Sequence, residues 1–214
     1  MSEAKRPQPR EQWKKSWLYS FVRGALAVAL KTIWPVKFHN REQLDIAAPY
    51  ILIGNHQSWI DPVLMAVGVR KEQICLLGKR ELSIGGMLNS IMKNLHVILV
   101  DRHNTDMEAM RACIKVLREG HILAAFPEGT RHHKGVMEEL ETGIAMIALR
   151  AGVPLIPMLI PRKMKLFRRN DCYVGQPIPM EDLREKGISK ETCQELLERI
   201  TAAYADLMGK EASA

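Results

Sequence analysis

Short runs of Ile, Val and Leu recur along the chain, and their lengths are typical of buried β-strands. The six runs cover residues 50–54, 73–78, 97–100, 121–126, 154–160 and 172–178. Between several of them, apolar residues recur at helical spacing instead. Strands that alternate with helices predict an α/β domain with a largely parallel central sheet flanked by helices.

Two of the helical patterns are clear. In the first, over 105–119, Thr105 and Glu108 have the spacing of a capping box. The second covers 190–208 and follows Ser189, a residue type that favours the position before a helix. The apolar positions that define the two faces are Met110, Ile114 and Leu117 in the first pattern, and Leu196, Leu197, Ile200, Tyr204 and Leu207 in the second.

The segment 17–34 predicts an amphipathic helix, because its apolar residues share one broad arc at about 100° per residue. Arg23 and Lys31 fall on the other side and leave the apolar run too short for a transmembrane span. Such a helix either lies in a membrane interface or packs on the protein's own core. We therefore expect a basic amphipathic segment over residues 1–37 and a folded domain over 38–214. The arc contains Trp17, Leu18, Phe21, Val22, Ala25, Leu26, Val28, Ala29, Leu30 and Ile33.

The formal net charge of +7 originates in the N-terminal segment. Residues 1–41 contain nine Lys or Arg against two Glu, whereas the remaining residues contain equal numbers of basic and acidic side chains. A basic segment seeks a polyanion, either nucleic acid or an anionic membrane. We expect a membrane surface and no nucleic acid, because the aromatic residues lie among apolar ones and no nucleic-acid-binding motif is present.

Cysteine and histidine spacing gives no sign of a disulfide framework or a metal site. The four cysteines are far apart without a CxxC pair, and neighbouring His132 and His133 have no third ligand at a suitable spacing. The N-terminus is polar and basic rather than a signal peptide. The sequence also lacks the GxSxG, GxxxxGK[ST] and HExxH motifs. A reducing cytoplasmic environment and no metal are expected.

The first polar motif, "NHQSWID" at 55–61, follows an apolar run directly. His56 and Asp61 would diverge on a regular helix, but Asp61-Pro62 predicts that a helix begins at 62, with Asp61 as its cap. His56 would then lie in a loop that can fold back onto the carboxylate. Such a contact fixes the imidazole tautomer and makes the ring a stronger base. The simpler alternative is a helix cap beside a solvated histidine.

Two more polar motifs follow strands. Asp101 and Arg102 come after the third apolar run, and "FPEGTR" at 126–131 comes with the fourth. In the latter, glycine permits close approach of backbone to a ligand, and Arg131 offers a planar fork for phosphate oxygens. The alternative is a Pro-Glu-Gly turn with a surface arginine. Because ligands bind beyond the carboxyl ends of strands in open α/β sheets, we expect these loops to face one crevice.

In combination, these motifs resemble the glycerophospholipid acyltransferase superfamily, and most closely its bacterial 1-acylglycerol-3-phosphate acyltransferases. The segment 55–61 resembles the family's NHxSxxD block, and "VILVDR" at 97–102 resembles its second block. "FPEGTR" at 126–131 matches the third block, and "VPLIPM" at 153–158 resembles the fourth. Lys79 begins a KxEL sequence like that found between the first two blocks.

The resemblance implies transfer of a fatty acyl group to the sn-2 hydroxyl of 1-acylglycerol 3-phosphate, which gives phosphatidic acid in phospholipid biosynthesis. The donor would be acyl-CoA or acyl carrier protein, with no further cofactor. His56 would be the catalytic base and Asp61 would orient it. The protein would act at the cytoplasmic face of the membrane. The implied substrate-binding residues are Lys79, Arg102, Glu128, Gly129, Thr130 and Arg131.

Three positions depart from the family pattern. His96 and Leu99 replace a glycine and a phenylalanine in the second block, and Glu141 replaces a lysine that commonly follows the third. Because a carboxylate cannot bind phosphate as a cation does, another acceptor stays open: glycerol 3-phosphate or a different lysophospholipid. A non-catalytic module that binds lipid or nucleic acid is a further alternative. The basic sequence "PRKMKLFRR" at 161–169 is either a second membrane contact or a solvated loop.

Overall fold

A computed structural model of the protein describes residues 17–79, 97–100, 107–129, 136–137 and 139–213. The helices within these ranges are α1 (Trp17–Thr32), α2 (Asp61–Gly68), α3 (Met107–Arg118), α4 (Thr142–Ala151), α5 (Glu181–Glu185) and α6 (Lys190–Ala212), with a short 3₁₀ helix at Arg41–Leu44. The strands are β1 (Val36–His39), β2 (Tyr50–Gly54), β3 (Ile74–Lys79), β4 (Val97–Val100), β5 (Ile122–Ala125), β6 (Leu155–Leu159) and β7 (Asn170–Val174).

The seven strands form one sheet in the order β1-β7-β6-β2-β5-β3-β4. Strands β2 to β6 all pair in parallel, whereas β7 runs antiparallel to β6 and β1 runs parallel to β7. The carboxyl ends of the five parallel strands therefore meet at one edge of the sheet, which we call the carboxyl edge. Because β1 and β7 run the other way, the residues that precede these two strands also lie at the carboxyl edge.

The predicted α/β architecture is confirmed, and each of the six apolar runs overlaps a strand. Strand β1 was not predicted, and the last strand covers 170–174 rather than 172–178. Helix α6 begins after Ser189 as predicted, and the Ser189 side chain accepts a hydrogen bond from the backbone N–H of Thr192. The predicted apolar faces of α3 and α6 are buried. Thr105 lies outside the described residues.

Helices cover both faces of the sheet, so alternate residues of one strand enter different cores. In β2, Ile51 and Ile53 pack with α3, α4 and α6, whereas Tyr50 and Leu52 pack with α2 and the end of α1. All five residues of β2 are buried. A central strand that is apolar on both faces is typical of parallel sheets, which explains why its run reads as continuous rather than alternating.

Helix α1 has two apolar sides. Tyr19 and Leu30 are 6% and 3% exposed and point into the protein, whereas Trp17, Phe21 and Val28 on the opposite side are 78%, 68% and 62% exposed. The helix thus packs on the core, one of the two predicted alternatives, and still presents a row of large apolar side chains outward. No helix in the described ranges is long and apolar enough to cross a membrane.

The predicted basic side of this helix is only partly correct. Lys31 is exposed, but the Arg23 side chain turns toward the protein and its Nε donates a hydrogen bond to the carbonyl oxygen of Ala66 in α2, at 3.1 Å. Arg23 therefore helps to hold α1 on the domain. The sequence pattern could not distinguish these two cations, because the carbonyl that Arg23 reaches is 43 residues away in the chain.

Candidate active site

The loop of residues 55–60 connects the carboxyl end of β2 to α2 and is fixed to the neighbouring strand β6. The side-chain amide of Asn55 donates to the carbonyl oxygen of Ile160 at 2.8 Å, and its oxygen accepts from the backbone N–H of Ile160 at 2.7 Å. Gln57 donates to the same carbonyl at 2.8 Å. Asn55 is 1% exposed. It continues the β2–β6 pairing by one residue after the strand has ended, and so fixes the start of the loop.

His56 and Asp61 are in contact, as the loop argument predicted. The Nδ1 atom of His56 lies 3.1 Å from Asp61 Oδ2. The same oxygen accepts from the backbone N–H groups of Gln57 and Ser58, each at 2.6 Å, and the Ser58 hydroxyl donates to Oδ1 at 2.7 Å. Asp61 is fully buried, whereas the His56 side chain is 18% exposed.

This geometry corrects the predicted role of Asp61 as a helix cap. Helix α2 begins at Asp61 itself, its N-cap residue is Ile60, and Pro62 is the second helical residue rather than the first. The carboxylate turns backward to the loop instead of toward the N–H groups of the helix. Its position in the first turn is still favourable, because a negative charge is stabilised at a helix N-terminus.

The hydrogen bonds determine the imidazole tautomer. An ionised carboxylate only accepts, and Oδ2 already accepts from two N–H groups, so we assign the His56 proton to Nδ1. The Nε2 atom then carries a lone pair. A neutral histidine held in this tautomer by a buried carboxylate is arranged to accept a proton at Nε2 and to be stabilised when it becomes charged.

The His56 ring is also held on its face. It stacks on Phe126 with ring centroids 4.3 Å apart and planes inclined by 27°. Phe126 directly follows β5, which is next to β2 in the sheet. The aromatic residue that opens "FPEGTR" therefore supports the ring, and the first and third motifs meet at the carboxyl edge.

Glu128 connects the same two motifs through its carboxylate. Its Oε2 accepts from the backbone N–H of His56 at 2.7 Å, and its Oε1 accepts from the backbone N–H of Met137 at 2.8 Å. Glu128 is 5% exposed. The resemblance implies that Glu128 binds substrate, and that role stays a prediction. The described contacts add a positioning role, in which Glu128 fixes the backbone that carries the imidazole.

We expect Glu128→Gln to lower kcat about 10²-fold with little change in KM for the acceptor, since a displacement of about 1 Å at a reacting group has this effect. A glutamine offers one oxygen and one NH₂ to two N–H donors, so one buried N–H group loses its partner, at a cost of about 1–3 kcal/mol of stability. Steady-state kinetics and thermal unfolding measure both effects. Glu139→Gln, at an exposed carboxylate nearby, is the control. A rise in KM without a fall in kcat would indicate that Glu128 binds substrate.

Gly129 lies beside Glu141, the residue that departs from the family pattern. The φ angle of Gly129 is +66°, and a Cβ added there would lie 3.0 Å from Oε1 of Glu141. The backbone N–H of Glu141 donates to the carbonyl oxygen of Pro127 at 2.8 Å. Glycine is therefore needed both for the left-handed backbone and for the close approach of this side chain. A negative charge consequently lies directly against the third motif.

The other predicted site residues lie wholly or partly beyond what the structure describes. Arg102, Thr130 and Arg131 fall outside the described residues, as do Asp101, His132 and His133. Lys79 is the last residue of β3, so its backbone lies at the carboxyl edge, but its side chain is not described. The roles of these residues stay predictions.

Two residues of this loop were missed by the sequence argument, Asn55 and Ser58. Both had a signal: Asn55 follows the apolar run immediately, and Ser58 precedes Asp61 by three residues. Ser, Thr, Asn and Asp side chains at such short spacings commonly bond to nearby backbone or to one another. Most polar side chains of "NHQSWID" therefore act together to hold one histidine in place.

The cysteines are remote from this chemistry. Cys75, Cys113, Cys172 and Cys193 are all free and buried. Burial raises the pKa of the Cys75 thiol to about 12, so it stays protonated and unreactive near neutral pH. Among the described residues, no group of three or more His, Cys, Asp or Glu is arranged to hold a metal ion.

Comparison with known proteins gives concordant results. A family model described as Acyltransferase matches residues 35–161. The 1-acyl-sn-glycerol-3-phosphate acyltransferase of Bacillus subtilis (strain 168) is 30% identical over 198 residues, which cover 90% of this chain and 98% of that protein. The Streptococcus pneumoniae protein of the same name is 27% identical over 197 residues, which cover 88% of this chain and 72% of that protein.

A solved structure supports the fold. The crystal structure of the 1-acyl-sn-glycerophosphate (LPA) acyltransferase PlsC from Thermotoga maritima aligns with a TM-score of 0.64 and 21% sequence identity. The alignment covers 92% of this chain and 81% of that one. The helix-flanked, mostly parallel sheet described above is therefore an arrangement that a solved acyltransferase shares.

Proposed function

The chain belongs to the acyltransferase family, and from this premise we propose that it acylates the sn-2 hydroxyl of 1-acylglycerol 3-phosphate to give phosphatidic acid. The observation that carries the proposal is the buried contact between His56 and Asp61, which leaves Nε2 of the imidazole as a proton acceptor. The names of the Bacillus and Streptococcus relatives support the choice of acceptor.

The proposed reaction is a direct transfer from a thioester. The acceptor hydroxyl attacks the carbonyl carbon, its proton passes to Nε2 of His56, and the carbon–sulfur bond breaks to release the thiolate of coenzyme A or of acyl carrier protein. The proton on Nε2 then protonates the leaving thiolate. Asp61 stabilises the imidazolium that forms in between. General-base assistance of this kind contributes about 10² to 10⁴-fold in rate.

The proposed transfer requires no acyl-enzyme intermediate. His56 itself accepts the proton from the acceptor, so no side chain has to act as a nucleophile. Ser58 carries the hydroxyl group closest in sequence to His56. This hydroxyl donates a hydrogen bond to Asp61 at 2.7 Å. This bond supports a structural role for Ser58 in holding the carboxylate.

Arg131 and Arg102 are the proposed phosphate-binding residues, with Lys79, Gly129 and Thr130 near the glycerol part of the acceptor. A guanidinium matches phosphate oxygens bidentately, which suits a phosphate monoester. We expect Arg131→Ala to raise KM for the phosphate-bearing acceptor with a smaller effect on kcat. An unchanged KM in steady-state assays would refute the role in phosphate binding.

The position of Glu141 is a reason to test a second class of acceptor, the lysolipids with a phosphodiester headgroup. Its carboxylate lies against Gly129 in the motif that contains Arg131, and there it opposes a dianionic phosphate. A phosphodiester lysolipid carries one negative charge fewer and would be opposed less. Glycerol 3-phosphate, with no acyl chain, is the other alternative.

The proposed site of action is the cytoplasmic face of the membrane, where both acceptor and product reside. The exposed apolar row of α1, Trp17, Phe21 and Val28, supports contact with the bilayer interface, and the basic N-terminal segment supports anionic lipids. Removing the whole segment would also remove buried Leu30, so substitution of the exposed row is the better test of this contact.

The experiment that tests the function uses purified protein, detergent-dispersed acceptors and both donor types, with products identified by mass. The panel contains 1-acylglycerol 3-phosphate, glycerol 3-phosphate and lysolipids with phosphodiester headgroups. We expect phosphatidic acid as the main product. Faster acylation of another acceptor would replace the proposed substrate, and no acylation of any acceptor would reject the proposed activity.

A further inference from the structure

A loop on the far side of the site from Glu128 projects apolar side chains between cations. It comprises residues 161–169, connects β6 to β7, and contains five Lys or Arg and no acidic residue. Leu166 and Phe167 at its tip are 55% and 76% exposed. Met164 does not project outward with them and packs against the core beneath the loop.

The loop is held in one conformation by Asn170, the first residue of β7. The Asn170 side chain accepts from the backbone N–H of Lys165 at 2.8 Å and donates to the carbonyl oxygens of Lys165 and Arg168 at 3.0 and 2.7 Å. The backbone N–H of Phe167 donates to the carbonyl oxygen of Ile33 at 2.7 Å. The tip is therefore fixed to the chain that leaves α1.

The conformation at the tip is unfavourable for the residue that adopts it. Phe167 has a φ of +54°, in the left-handed region that bulky residues rarely enter. In a loop that only faced water, both the exposed aromatic ring and the strained backbone would lower the stability of the fold. Strain of this kind persists where the surrounding contacts impose it, and it often marks a functional position.

The tip lies at the carboxyl edge, where His56 lies. Because β6 is parallel to β2, the loop leaves the sheet at the end that carries the His56 loop, and Ile33 and Trp34 precede β1 at that edge too. Trp34 contacts Trp59 edge-to-face at 6.4 Å between centroids. Trp59, within "NHQSWID", is 68% exposed, and Ile33 is 36% exposed.

We propose that Ile33, Trp59, Leu166 and Phe167, with the cations of the 161–169 loop, form a docking face that seats the carboxyl edge on an anionic lipid bilayer. The occupant follows from charge and shape. Apolar side chains at a fixed tip enter the interface while neighbouring Lys and Arg meet anionic headgroups. Trp59 lies between Ser58 and Ile60, in the same loop as the proposed base. Docking through Trp59 therefore places the proposed site beside its lipid acceptor. The inference rests on the proposed lipid acceptor.

The charges of the loop favour this occupant. Arg162 is paired with Glu211 and Arg169 with Asp171, whereas Lys163, Lys165 and Arg168 take part in no ion pair with the described residues. These three are exposed. A nucleic acid would also attract them, and its unpaired bases stack on aromatic rings, but it would gain nothing from the aliphatic Leu166, so a direct DNA-binding assay beside the vesicle assay separates the two partners.

The test uses Phe167→Asn in the full chain, because asparagine tolerates the left-handed backbone and removes only the apolar ring. Ile188→Asn is the matched control: Ile188 is 46% exposed and lies beyond the carboxyl end of β7, at the opposite edge of the sheet. Binding is measured by sedimentation with phosphatidylcholine vesicles that contain or lack phosphatidylglycerol, and by a DNA-binding assay.

We expect Phe167→Asn to weaken binding to anionic vesicles about tenfold, while Ile188→Asn binds as the unsubstituted protein does. Replacing Lys163 and Lys165 by Gln should weaken binding to anionic vesicles only, and replacing Lys186 and Lys190, near Ile188, should not. Equal binding by Phe167→Asn and the unsubstituted protein would overturn the proposal. So would equal losses in both asparagine variants, or binding to DNA in preference to vesicles.

A second readout separates docking from catalysis. With a short-chain acceptor that is monomeric in water, Phe167→Asn should turn over at the unsubstituted rate, and it should lose activity only on acceptor embedded in vesicles. Loss on the monomeric acceptor as well would overturn the docking role. If no acceptor is acylated at all, the proposed function fails, whereas the binding difference between the two asparagine variants would still establish the docking face.

Discussion

His56→Ala is expected to lower kcat for acyl transfer by about 10² to 10⁴-fold, because the substitution removes the proposed proton acceptor. The fold should survive, since the His56 side chain is partly exposed and the Asp61 carboxylate keeps its bonds to Gln57 and Ser58. Initial rates with the monomeric acceptor, together with circular dichroism and vesicle sedimentation, measure activity, folding and binding separately.

The chain offers a matched control in a second His–Asp contact. His39 Nε2 lies 2.7 Å from Asp171 Oδ1, between strands β1 and β7 at the margin of the sheet. His39→Ala removes an imidazole of similar exposure from a less buried carboxylate, and it should leave the acyl-transfer rate nearly unchanged. If His56→Ala retains more than a few per cent of activity, His56 is not the base.

Asp61→Asn is expected to lower kcat by a comparable factor, about 10² to 10⁴, for an electrostatic reason. An asparagine can keep its oxygen at the Oδ2 position, where three donors converge, and turn its NH₂ toward Ser58 Oγ, which also accepts. The loop can therefore stay folded. What is lost is the negative charge that stabilises the imidazolium during the reaction.

The alanine variant at the same position distinguishes charge from structure. Asp61→Ala removes four acceptor contacts and leaves buried N–H groups unpaired, at about 1–3 kcal/mol each, so it should also lower the melting temperature. Asp171→Asn, in the His39 contact, is the control for a charge change beside a histidine. Equal activity of Asp61→Asn and the unsubstituted enzyme would show that the carboxylate does not assist the base.

The order of strands and helices could be predicted because buried strands and helices leave recognisable patterns of apolar residues in the sequence. Strand β2 is a run of buried apolar residues, and α6 has one buried face at helical spacing. Strand β1 was missed because it lacks such a run of buried apolar residues. It is one of the two edge strands of the sheet, none of its residues is buried, and its "VKFH" mixes polar and apolar side chains.

The site was predictable in part. The contact between His56 and Asp61 follows from local chain geometry, because Pro62 restricts where a helix begins and five residues of loop can turn back. The partners of Glu128 could not be predicted. The backbone N–H of His56 is 72 residues away in sequence, and only the adjacency of β2 and β5 brings it within reach.

The most direct test of the central claim is the protonation state of the His56 ring, which can be read from long-range ¹H–¹⁵N NMR at a pH where the imidazole is neutral. Comparison with His56→Ala identifies its signals. The account predicts a proton on Nδ1 and an unprotonated Nε2, and it predicts that Asp61→Ala weakens this preference. A neutral ring with its proton on Nε2 would have no lone pair where the acceptor's proton must go, and would contradict the assignment of His56 as the base.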